Sequence, residues 1–94
     1  MADALWTNRT TDGISTEVEV VGPATVAISG NMDGCSQVIE ARYGSGDFVP
    51  AGEGATVREV TAYTVNWVGT FDLRLRQIGS GANTSVSAVV QGTL

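Results

Sequence analysis

Side chains able to titrate, ligate or attack are few in this chain. Of 94 residues ten are acidic and five basic; every cation is arginine, and there is neither histidine nor lysine. Without histidine the chain lacks the commonest general base and the commonest metal ligand. Asp33, Asp47 and Glu53 stand in glycine-rich loops, where carboxylates can hold calcium. They lack the spacing of an EF-hand, and acids in such loops ordinarily form solvated turns. A glycosidase-like pair of carboxylates could be assembled from these acids, but no pair is singled out. The tract GSGDFVPAGEG lacks the Lys-Ser/Thr ending of a phosphate loop and opens no helix. Cys35, in DGCSQV, has no neighbour in sequence that would activate a thiolate, and as the sole cysteine it can form no intramolecular disulfide. The expectation is a protein that is not an enzyme and uses no cofactor or metal.

Arginine is the more telling residue. Arg74 and Arg76 lie beside Asp72 in FDLRLR, alternating with Phe71, Leu73 and Leu75, while Arg42 alternates with Ile39 and Ala41 in VIEARY. Period-two patterning places each set on the polar face of a half-buried strand. Two roles stand open for these cations. They can pair across strands with Glu17, Glu19 or Glu40. Alternatively, they can dock on another subunit, since the planar guanidinium binds carboxylates bidentately and is enriched at interfaces. Arg42, Arg74 and Arg76 are therefore candidate interface residues.

The elements that carry these residues read as strands throughout. TEVEVV (16–21) alternates and is ended by Gly22-Pro23; ATVAIS (24–29) follows, then a turn at Asp33-Gly34. CSQVIEARY (35–43) sets Ile39, Ala41 and Tyr43 on one face, with Val38, Glu40 and Arg42 on the other. Strands follow at 56–60 and at 63–68, where Tyr63, Val65 and Trp67 are in phase. The FDLRLR strand, whose alternation stops at Gln77-Ile78, and TSVSAVV, with Val86, Ala88 and Val90 inward, complete the set. The in-phase aromatics serve core packing, or alternatively line a sugar-binding face. Short strands at roughly ten-residue spacing with glycine turns fit a single antiparallel β-sandwich, jelly-roll-like. Residues 1–14 are polar and aperiodic apart from Leu5 and Trp6, and read as an extended N-terminal arm on a domain spanning 15–94. Leu5 and Trp6 are thus further interface candidates, tucked onto their own domain or docked on a neighbour.

Composition narrows the partners. A net charge of −5 argues against nucleic acid, whose binders carry a basic footprint. No apolar run approaches the ~20 residues of a membrane helix, and the first residues lack the pattern of a signal peptide. A soluble product of a cytoplasm is expected, with no membrane partner.

From Gly30 onward the order of features resembles small bacteriophage virion proteins. The matching elements are the Asp33-Gly34 turn, the strand and loop QVIEARYGSGDFVP, a brief strand, and YTVNWVGTFDLRLRQIGSGANTSVSAVV. The resemblance implies a β-sandwich on the outside of a particle, as a capsid decoration (cement) protein or a fibre-type attachment. It further implies a virion location after synthesis in the bacterial host, and the major capsid protein or other virion proteins as partners. Homo-oligomers, trimers among them, and the absence of an active site complete that expectation. Beside it stand a tail, fibre or baseplate component and a carbohydrate-binding β-sandwich module.

Overall fold

The computed structural model describes residues 2–92; Met1, Thr93 and Leu94, at the outer ends of the two expected segments, lie outside the described residues. Among the described residues there are eight strands: β1 (Ala2–Arg9), β2 (Gly13–Ile14), β3 (Val18–Asn31), β4 (Ser36–Arg42), β5 (Val49–Pro50), β6 (Thr56–Val57), β7 (Ala62–Ile78) and β8 (Ser85–Gln91). The described residues contain no helix. All the strands belong to one open antiparallel sheet of order β1-β8-β3-β7-β4-β5, with β2 added to β7 and β6 to β4. The all-β expectation holds at this level.

Two long strands replace four expected short ones. β3 runs through Gly22-Pro23 without ending; the register with β7 slips between Gly22 and Ala24 instead. A bulge is a position where proline, which has no N–H to give to the ladder, is tolerated. Gly22 sits opposite Gly69 on β7. A Cβ on Gly22 would collide with the carbonyl of Trp67 and press on the ring of Phe71, so only glycine lets the strands approach this closely. β7 likewise continues from the Tyr63 segment into FDLRLR as one strand of 17 residues. The strand expected at 56–60 shrinks to Thr56–Val57, and Val60 is 53% exposed.

The first residues are not an arm. β1 pairs antiparallel with β8, Asp3 facing Val90 and Trp6 facing Ala88. Leu5 is only 2% exposed, and its carbonyl accepts a hydrogen bond from Thr16 Oγ1 at 3.0 Å. Burying one leucine and pairing an edge outweighed the polar composition of the segment. Register shifts after Ala4 and after Trp6 break the alternation that would have revealed the strand.

Inward positions keep strict parity and meet in a single core. Val26 and Ile28 of β3, Leu73 and Leu75 of β7, and Val86 and Val90 of β8 all belong to it. Ile39 and Ala41 join from β4, on the far side of β7 from β3. One face of a flat sheet could not enclose such a cluster, so the sheet is curled around its own inner surface. Tyr43, expected inward with Ile39 and Ala41, lies past the end of β4 and is 53% exposed.

Candidate functional site

Outward side chains divide the surface by charge. On one half, where the second part of β7 lies against β4, the register sets Arg42 opposite Asp72, Glu40 opposite Arg74 and Val38 opposite Arg76. Arg74 Nε donates to Glu40 Oε1 at 2.8 Å, and Arg76 Nη2 lies 3.5 Å from Glu40 Oε2. Arg42 donates from Nη2 to Glu17 Oε1 at 2.8 Å and from Nε to Asp72 Oδ2 at 3.4 Å. Phe48, reached through the glycine-rich 44–46 turn, caps the group. Its ring centroid lies 4.0 Å from the Arg74 guanidinium carbon and 4.5 Å from that of Arg42. Such stacking holds a planar cation against an aromatic face. Glu40 is 7% exposed despite pointing outward, because two arginines close over it.

The three arginines proposed for an interface are therefore brought together, and their own sheet already engages them. Trp6 packs partly buried against the core beneath the Arg9 guanidinium at 5.4 Å. Leu5 lies in the core itself, tucked onto its own domain, the first of its two alternatives.

The other half, formed by β1, β8, the second part of β3 and the first part of β7, presents a different surface. One cross-strand row reads Ala4, Val89, Ala27, Ala62, all exposed. The flanking rows are Gln91–Thr25–Thr64 on one side, and Ser87–Ser29 and Ser85–Asn31 on the other. No outward residue in these rows is charged. Several polar groups are already satisfied within the face. The Thr25 and Thr64 hydroxyls bond each other at 3.3 Å, and Ser87 Oγ accepts from the Asn8 amide at 3.0 Å.

The aromatics cluster at one end. Tyr43 stacks on Trp67 with ring centroids 4.8 Å apart, and its hydroxyl donates to the Val68 carbonyl at 2.7 Å. Phe71, at 2% exposure, lies beneath them in the core. Trp67 Nε1 donates to the Ala51 carbonyl at 3.0 Å. Phe71 and Trp67 thus serve packing, while Tyr43 keeps an open ring.

The loop acids do not converge: among the described residues no group of three or more His, Cys, Asp or Glu side chains is placed to hold a metal ion. Asp33 instead accepts from the Asn83 amide at 2.9 Å. Cys35 is fully buried, and that burial pushes its thiol pKa up, away from nucleophilic reactivity. An open groove of about 310 Å³ lies against Val57, Arg58, Glu59 and Thr61, beside the start of β7.

Two buried amides were missed in the sequence. Gln37 Nε2 donates to Gln77 Oε1 at 2.5 Å, inside the sheet. Gln77 Nε2 in turn reaches the Thr11 carbonyl at 3.2 Å and Ser80 Oγ at 2.9 Å. Asp12 accepts from both the Ser80 amide and its hydroxyl, and from the Gly79 amide. These bonds hold the Asp12 carboxyl below its ordinary pKa, the Ser80 hydroxyl foremost. The signal was present: Gln77 continues the parity of Phe71, Leu73 and Leu75, and Gln37 that of Ile39 and Ala41.

Compared with known proteins, the chain matches no family model, no curated protein and no solved structure.

Proposed function

We propose that this chain is a non-enzymatic virion structural protein, a decoration (cement) protein that binds the outside of a bacteriophage capsid and stabilises the shell. The proposal includes a jelly-roll-like sandwich arrangement for the curled sheet, a virion location, and the major capsid protein as partner. The observation that carries it is the division of the outer surface. The three arginines on one half are paired within the molecule, while the outward rows of the other half carry no charge. Such a surface suits lateral adhesion more than the enclosure of a small molecule. Many copies on a symmetric shell then gain by avidity what one modest contact lacks. The resemblance of Gly30 onward to small virion proteins supports the same assignment.

The test is sedimentation of the purified protein with empty capsids, together with the temperature at which decorated and bare shells disrupt. Co-sedimentation and a raised disruption temperature are expected. Absence of binding at micromolar concentration, on capsids and on purified tails alike, removes the proposal; binding to tails alone moves it to the tail, fibre or baseplate.

One observation favours a second reading. Tyr43 is pinned through its hydroxyl and covered by Trp67 on one side, so its 53% exposure leaves the opposite ring face open. A fixed aromatic face is what a sugar-binding module stacks against pyranose rings. Glycan titration should then quench or shift Trp67 emission through the stacked pair; an insensitive spectrum discards it.

A further inference from the structure

We propose that the uncharged half of the sheet is a self-association surface, packing face to face against the same surface of a second copy about a two-fold axis near Ala27. The inference rests on the reading of the protein as an adhesive building block, and it names which face joins copies to one another.

Desolvation decides which face can be covered. Covering the Glu40–Arg74–Arg76 half would remove water from ions, which is costly for each ion left imperfectly paired. The Ala27 half holds no ion on its outward rows. The Thr25–Thr64 and Ser87–Asn8 bonds leave fewer orphaned groups when water leaves.

Charge then points to a second copy as the occupant. Two molecules of net charge −5 repel across most approaches, and this face is one on which they meet without opposing carboxylates. A two-fold also suits the pattern of the rows. It lays the Ala27–Val89 row on itself and sets hydroxyl rows against hydroxyl rows. A hydroxyl both donates and accepts, so like can satisfy like. Alanine and serine side chains are short enough to let two sheets approach to about 10 Å.

Size sets the strength. β8 and β3 pair over seven residues rising about 3.3 Å each, but β7 reaches only to Ala27–Ala62, so four strands about 4.8 Å apart meet in the central row alone and the face is roughly 20 by 15 Å. Two such faces bury on the order of 600–900 Å² together, the size of a weak, transient contact. The dimer expected is weak, populated where copies are concentrated.

Analytical ultracentrifugation of the full chain tests this. The wild type should show a concentration-dependent monomer–dimer equilibrium. Ala27→Glu, at an exposed position, should weaken it by at least about tenfold by burying a carboxylate against its own mate. Ser45→Glu, in the exposed 43–48 loop, should leave it unchanged. Since Cys35 is buried, Ala27→Cys provides a second measure: a short bismaleimide should link two copies of that variant but not of the wild type. A wild type that stays monomeric at millimolar concentration overturns the inference, as does a dimer indifferent to Ala27→Glu and unlinked through Ala27→Cys. Capsid binding, scored separately on Ala27→Glu, keeps the two proposals apart. A wild type that is monomeric yet binds capsids through Ala27 overturns self-association and leaves the virion role standing.

Discussion

Arg74 Nε and Glu40 Oε1 lie 2.8 Å apart directly across the β7–β4 ladder, with the Phe48 ring over the guanidinium. This pair explains why a small acidic protein places two arginines on one strand: Glu40 is shared by Arg74 and Arg76, and neither role needs a nucleic acid or a substrate. Glu40→Ala should therefore destabilise the fold by about 2–4 kcal/mol. That is somewhat under the loss for a fully buried pair, because Arg76 remains 43% exposed. Urea unfolding measures it, and a loss under about 0.5 kcal/mol would place the pair with ordinary surface ion pairs. Arg74→Glu sets two carboxylates together and should fail for the same reason, so a lost assembly in that variant reports on folding first.

The buried amides should behave as a coupled unit. Gln77→Leu alone leaves Gln37 Nε2 with only the Cys35 sulfur at 4.0 Å and takes a donor from the Thr11 carbonyl, and should cost about 1–3 kcal/mol. Gln37→Leu combined with Gln77→Leu should cost less than the sum of the two single changes. A double-mutant cycle by chemical denaturation reads the coupling, and strict additivity would contradict the bond between them.

Acid should loosen the turn that carries Asp12. Its carboxyl titrates lower in the folded protein than in the unfolded chain, whose value is about 3.9. The contribution is thus complete above that pH and disappears as pH falls through the folded value. Asp12→Asn should lower stability at neutral pH and flatten the decline below about pH 4. Equal acid slopes in the two proteins would show that the Gly79 and Ser80 amides do not depend on this carboxylate.

Gly22→Ala should be severe, at least about 3 kcal/mol, since the added carbon meets the backbone carbonyl of Trp67 and no side chain can move aside. Gly44→Ala, where a Cβ meets no neighbour, separates a steric effect from a purely conformational one. Thermal melts of the two variants should differ widely, and similar melting temperatures would refute the close approach.

Much of this was legible in the residues. The parity of Phe71, Leu73 and Leu75, and of Val86, Ala88 and Val90, fixes which way each strand faces, and burial follows it. The partners of Arg74 and Arg76 lay among the acids on neighbouring strands, although only strand order could choose Glu40 over Glu19. Three features were hidden for physical reasons. Gly22-Pro23 looks like a terminator because local propensity does not register a bulge. β1 carries one fully buried leucine, at its first register shift, too little for a period. The uncharged face depends on four strands lying side by side, and its serines, threonines and alanines look unremarkable along any one of them.

The lengths of β3 and β7 have a mechanical consequence. Each strand runs through both the charged and the uncharged halves, and the two are paired from Val18–Leu73 to Gly22–Gly69 and again from Ala24–Val65 to Ala27–Ala62. A pull on one half reaches the other along continuous backbone, with the ladder between them strained in shear. Hydrogen bonds strained in that way share the tension and yield together, whereas a hairpin pulled from its open end parts one rung at a time. The two halves share both long strands across the one slip in their register, so neither half can be drawn away without loading both backbones.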